Sequence, residues 1–477
     1  MLFNSFQFII FYILVVGVLF SLPQRFRWMW LLAASTYFYM CWRPSYVVFL
    51  IFLIVVDYFC GIGMEKTGSH KIKRLLLGTS LVSNLGLLFV FKYFNFFSLN
   101  LARVFQQPFP LLHLILPIGI SFHVFQSLAY TIDVYRGRQQ VEHHFGKFAL
   151  FVMFFPQLVA GPIERPQNLL HQFHEYRPFT YENFRTGMQL ALWGMIKKVC
   201  IADLVAKPVG IVYSHPLNYS GPVLLLATFY FTVQIYCDFS GYTDIARGVA
   251  KIMGYDLMVN FRQPYFAHSI KEFWQGWHIS LSTWFRDYVY YPLGGSRVSH
   301  MVILRNLAVV FVVSGLWHGA AWTFVVWGAL HGLYMVVGEV TRDFRLRLAT
   351  SLGIRESRWY RLAQIFITLN LVMVGWVFFR SNSVANAWYI VRHMYTPARV
   401  SFFDITYGVG LEQFQTVLAF LLVALLIVVD YVLVYRPKLA DTWWQIRPAR
   451  WAAYVAAAYS LVFFGIWEQL EFIYFQF

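Results

Sequence analysis

Charge is what this sequence lacks most. Only 13% of its 477 residues are Asp, Glu, Lys or Arg, where a soluble globular chain carries about 25%. With 59% of the residues hydrophobic, there is too little polar side chain to cover a water-soluble body, so the chain reads as an integral membrane protein. Acidic residues are the scarcer sign: 22 against 38 Lys and Arg, a net charge of +16. In a soluble protein that balance would suggest nucleic acid. Here the basic residues fall in short loops between apolar runs, as the positive-inside rule expects, and no nucleic-acid partner is expected. Anionic lipid or a phosphate-bearing cosubstrate is the additional use such residues would serve. Cysteine is also sparse. Cys41, Cys60, Cys200 and Cys237 lie in apolar runs with no Cys-x-x-Cys pair, which argues against a disulfide framework, an iron–sulfur cluster or a thiolate zinc site. No Lys or Arg precedes Arg25 and no small-residue cleavage site follows the first apolar run, so 6–20 reads as a transmembrane helix and not as a cleavable signal.

Long apolar runs are what is there. A membrane-spanning helix needs about 20 mostly apolar residues. The candidate spans are 6–20, 28–42, 46–62, 75–97, 114–130, 184–200, 222–236, 301–316, 322–340, 362–379, 414–434 and 451–467. The densest basic groups are Arg25 and Arg27; Lys66, Lys71, Lys73 and Arg74; Arg342 through Arg361; and Arg436 through Arg450. With these spans all four groups share one side, the cytoplasm, and both termini face outward. Two stretches resist a spanning reading, 145–181 and 237–299. Irregular backbone at membrane depth is tolerated only beside protein or a water-filled cavity, so both are expected to be re-entrant or interfacial pieces lining a cavity. The whole of 1–477 is expected to form a single membrane domain: N-terminal helices over 1–135, a catalytic core over 136–340 and C-terminal helices over 341–477. No inverted repeat of broken helices of the kind transporters use is visible.

Two histidines lie among tryptophans in this apolar setting, in Trp277-His278 and Trp317-His318. An ionisable group kept in or beside a bilayer marks a functional site. Between Lys271 and Pro292 the apolar residues Phe273, Trp277, Leu281, Trp284 and Tyr288 recur at helical spacing. They predict one amphipathic helix with Gln275, His278, Ser282 and Arg286 on its polar stripe. His318, flanked by Gly315 and Gly319, is expected to be mostly neutral, because desolvation penalises its charged form. That is the state a general base needs. His331 reads as a packing and hydrogen-bonding residue. His70, His113, His143, His144, His171 and His174 lie in polar loops, and neither His143-His144 nor the pair His171 and His174 comes with a third metal ligand. The run from Asp238 to Asp244 reads either as a group that orients a histidine or as a helix cap, with capping the expected use of Ser240 and Asp244.

Several motifs, in order, carry a resemblance to a known family. They are Leu116-Pro117-Ile118-Gly119-Ile120-Ser121-Phe122, Phe125-Gln126-Ser127-Leu128, Thr131-Ile132-Asp133-Val134-Tyr135-Arg136 and Ala160-Gly161-Pro162-Ile163. Further on come Cys237-Asp238-Phe239-Ser240-Gly241-Tyr242, His278-Ile279-Ser280-Leu281-Ser282-Thr283-Trp284 and Ser314-Gly315-Leu316-Trp317-His318-Gly319-Ala320. The chain resembles the bacterial membrane-bound O-acyltransferases, in particular the alginate O-acetyltransferase branch with its relatives that acetylate cellulose and peptidoglycan.

The resemblance implies an all-α polytopic fold, a ring of about 11–12 transmembrane helices with re-entrant segments around a central tunnel. It also implies an enzyme of the bacterial inner membrane. No bound cofactor is implied; acetyl-CoA is the acetyl donor, and the acceptor is an extracytoplasmic polysaccharide. A periplasmic or membrane-anchored acetyltransferase- or esterase-like partner would complete the transfer. His318 and His278 match the family's functional histidines, and Trp277, Ser282, Arg286, Trp317 and Asp238 are the expected substrate-binding residues. Gln275 and Gly276 stand where relatives often carry two arginines, which makes Arg286 and Arg297 the candidates for CoA phosphate contacts. From the residues alone, a transporter of a lipid-linked sugar or a proton-coupled solute is the alternative, as is a non-catalytic subunit of a polysaccharide synthase.

Overall fold

The computed structural model describes residues 1–467, 472 and 473, and every regular element among these described residues is helical. In hydrocarbon each backbone N–H and C=O must find its partner within its own segment, which leaves helices as the form apolar runs of this length take. Among the described residues, seven helices are long and apolar enough to cross a membrane: Pro44–Lys66, His70–Phe105, Gly221–Ile252, His300–His318, Trp322–Val340, Arg358–Arg380 and Gln413–Tyr435. The protein is an all-α, multi-pass membrane protein.

The other candidate spans take different forms. Phe6–Ser21 is apolar but only 16 residues long. The run 114–130 is split, its first part without helix and its second part in Ile120–Tyr135. The run 184–200 belongs to Tyr181–Met195, which passes through a π-helical stretch, Ile196–Ala202, into Asp203–Ser214. The largest difference is Gly221–Ile252, a helix of 32 residues. The expected irregular stretch after Cys237 is helix as far as Ile252, so Ser240 and Asp244 sit mid-helix and cap nothing. Gly241 within this helix admits a neighbouring backbone: a Cβ there would stand 2.8 Å from the Gly194 carbonyl oxygen.

Residue contacts group the chain into two compact units, Met1–Leu192 with Tyr242–Val259, and Trp193–Gly241 with Asn260–Phe477. In the first unit, the buried Asp57 carboxylate accepts from Ser80 Oγ at 2.6 Å and from Asn84 Nδ2 at 3.0 Å, joining Val47–Lys66 to His70–Leu88. The stretch 145–181 is broken into short helices, Phe145–Met153, Phe155–Leu158 and Pro166–Leu169, as expected for a non-spanning piece. It is anchored by Phe148, Phe151, Phe154 and Phe155, all fully buried. There Glu164, also buried, accepts from the Met258 backbone N–H at 2.6 Å and from Asn168 Nδ2 at 2.6 Å.

The second unit holds four of the spans. His300–His318 and Trp322–Val340 approach closely through paired glycines. A Cβ on Gly315 would stand 2.3 Å from the Phe324 carbonyl oxygen, and one on Gly328 would stand 2.4 Å from that of Phe311. Small residues are what allow two membrane helices to meet backbone to backbone.

Candidate functional site

The single helix expected over 271–292 is interrupted at its centre. Ser269 caps the first part, Ile270–Gly276, by accepting from the Glu272 N–H, and the Ser-x-x-Glu spacing is a capping signature. This helix ends before Trp277, and a second begins at Ile279. The break is imposed from upstream. The Asn260 carbonyl oxygen accepts from the Ile279 N–H at 3.0 Å, and Asn260 Oδ1 accepts from the Ser280 N–H at 3.1 Å and Ser280 Oγ at 2.9 Å. Arg262 N–H donates to the Gly276 carbonyl at 2.9 Å. Asn260 thus satisfies the orphan donors of a helix start, and the residue before that start must turn.

That residue is His278, held in the left-handed region at φ 44° and ψ 54°. Few non-glycine residues adopt that conformation, and such outliers cluster at functional sites. His278 therefore sits at a break between two helices and not on the polar stripe of one, and it is wholly buried. Desolvation pushes its imidazole down to about 3, so the ring is neutral at physiological pH.

His318 is the last residue of His300–His318 and is 4% exposed. The two imidazole centroids lie 6.4 Å apart with ring planes at 53°. Aromatic rings enclose them. Trp317 lies 6.0 Å from His278 and 4.9 Å from His318, centroid to centroid. Trp327 and Phe379 stand edge-on to His318 at 4.9 and 5.3 Å, and Phe239 stands edge-on to His278 at 4.7 Å.

Of the other expected site residues, only Trp317 joins both histidines. Trp277 is a core residue, packed on Phe261, Phe273 and Trp376. Ser282 Oγ donates to the Trp277 carbonyl at 3.1 Å. Arg286 is exposed and paired with Asp287 at 2.9 Å, and Arg297 is exposed as well. Asp238 is buried, with Oδ1 2.8 Å from Lys198 Nζ and Oδ2 accepting from the Ile473 N–H at 2.8 Å. His331 has the packing role expected of it, accepting from Trp274 Nε1 at 3.3 Å between Trp327 and Phe273. His143 and His174 pair with Glu65 and Glu142.

Sequence reasoning missed Asn260, Phe239 and the buried Lys198. Asn260 and Phe239 act across large sequence separations, which a local period does not report. Lys198 carried a signal that could have found it: a Lys-Lys pair inside an apolar run is costly unless each charge has a partner.

The model of the membrane-bound O-acyltransferase family matches residues 76–385. The chain is 39% identical over 405 residues to the probable alginate O-acetylase AlgI of Azotobacter vinelandii, a match covering 83% of this chain and 78% of that protein. It is 38% identical over 435 residues to the probable alginate O-acetylase AlgI of Pseudomonas aeruginosa, covering 89% and 81%. It is 35% identical over 396 residues to the peptidoglycan O-acetyltransferase of Helicobacter pylori, covering 77% and 73%.

Proposed function

The chain belongs to the membrane-bound O-acyltransferase family, and on that premise we propose that it is an O-acetyltransferase of the bacterial inner membrane. It takes acetyl from cytoplasmic acetyl-CoA and passes it across the membrane for O-acetylation of an extracytoplasmic polysaccharide such as alginate or cellulose. A periplasmic or membrane-anchored acetyltransferase- or esterase-like partner completes delivery to the polymer. The alginate and peptidoglycan O-acetylating relatives support a polysaccharide as the final acceptor.

One observation carries the mechanism: two buried imidazoles with centroids 6.4 Å apart, walled by aromatic rings. A reacting group between them can lie about 3 Å from a nitrogen of each, the reach general acid–base catalysis needs. His318 accepts the proton of the attacking hydroxyl while the hydroxyl oxygen bonds to the thioester carbonyl carbon. His278, neutral, donates a hydrogen bond to the carbonyl oxygen as negative charge develops there. Collapse of that intermediate breaks the carbon–sulfur bond, and the departing thiolate takes the proton from His318. Both rings are buried, and a water-poor setting favours transfer over hydrolysis. Trp317 supplies an apolar surface for the acetyl group, and the solvent-facing Arg286 and Arg297 are the candidate contacts for CoA phosphates.

The test is acetyl transfer by purified protein, read as free CoA released and acceptor acetylated. His318→Ala is expected to lower the rate by about 10²- to 10⁴-fold. A protein that moves a solute unchanged and releases no CoA would be a transporter instead.

A further inference from the structure

The second unit buries two lysines, Lys197 and Lys198, which are 3% and 6% exposed. Both lie in the π-helical stretch Ile196–Ala202, a local distortion that recurs at functional sites. Lys198 Nζ is 2.8 Å from Asp203 Oδ1 and 2.8 Å from Asp238 Oδ1. Lys197 Nζ donates to Ser240 Oγ at 3.0 Å. Asp238 and Ser240 bracket Phe239 on the helix Gly221–Ile252, and the ring of Phe239 meets His278 edge-on at 4.7 Å. Successive helical residues are about 100° apart, so the two lysines grip the helix on both flanks of Phe239 and set its rotation there.

We propose that Lys197 and Lys198 are positioning residues for acetyl transfer: by pinning Ser240 and Asp238 they hold Phe239 against His278 and fix the direction of its imidazole. Stability alone explains the arrangement poorly, because a buried ion pair returns little over an apolar pair of similar volume. Orientation explains why both anchors flank the residue that meets the ring. The inference rests on the acetyltransferase reading above. Inactive wild-type protein would refute that reading, an outcome distinct from active wild type with indifferent variants.

The decisive protein carries Lys198→Met, Asp203→Asn and Asp238→Asn together, which removes the cluster's charge without stranding one partner. It is expected to keep its thermal midpoint and its KM for donor and acceptor, while kcat falls about 10- to 100-fold, the cost of slight misplacement at a reacting centre. Phe239→Leu, with both lysine anchors intact, is expected to show the same split. If the triple variant does not fold, Lys197→Met is judged by the same measurements. Retention of kcat by these variants, or loss of stability and activity in step while Phe239→Leu is unimpaired, overturns the proposal.

Discussion

At His278 the backbone and the ring make separate demands. The left-handed conformation tolerates Asn far better than a β-branched residue. His278→Asn is therefore expected to fold and lose acetyl transfer, whereas His278→Val is expected to lose thermal stability as well, as detergent melting curves would show. Glu164 is held well above the range of an exposed carboxylate. Burial outweighs its hydrogen bonds from Met258 and Asn168 and raises it to about 7. The folded protein then holds this proton more tightly than the unfolded chain does. The resulting stability is fully present below about 4.5 and is lost as pH rises through about 7, up to about 3 kcal/mol for a shift of that size. Glu164→Gln is expected to flatten the pH dependence of the melting temperature between these limits; an unchanged slope would remove Glu164 as its source.

The helices show what a sequence reports and what it does not. Ser269 and Glu272 announce a helix start through a spacing of three residues, and the structure has it there. The interruption at His278 depends on Asn260, whose side chain caps Ser280 from 20 residues upstream. The apolar period of 273–288 continues through the break and so predicts one helix where there are two. The aromatic neighbourhood of the two histidines was legible because Trp277-His278 and Trp317-His318 are adjacent pairs. Their approach to 6.4 Å was not, because it depends on the packing of separate elements. The same reasoning bears on the helix that ends at His318. With a Cβ at residue 315 only 2.3 Å from the Phe324 carbonyl oxygen, Gly315→Ala must push the two helices apart. A cost of about 1–3 kcal/mol is expected, read as a lower thermal midpoint, together with reduced acetyl transfer, since His318 lies within the next turn.

For the molecule as a whole, composition alone settled membrane residence, and the basic loops predict which side each connection occupies. Ser69 and Ser351 are exposed residues among two of these basic groups. In a background with the four native cysteines replaced by serine, Ser69→Cys and Ser351→Cys are expected to react with an impermeant maleimide in inverted membrane vesicles and to be protected in intact spheroplasts. Opposite labelling of the two would break the proposed topology. The chain also has an optical consequence built into it. The indole of Trp317 lies within 6.0 Å of one imidazole and 4.9 Å of the other, so a thioester arriving between the rings changes the surroundings of a natural fluorophore. The difference in emission between the parent protein and Trp317→Phe during a titration with acetyl-CoA would follow donor arrival without any attached label.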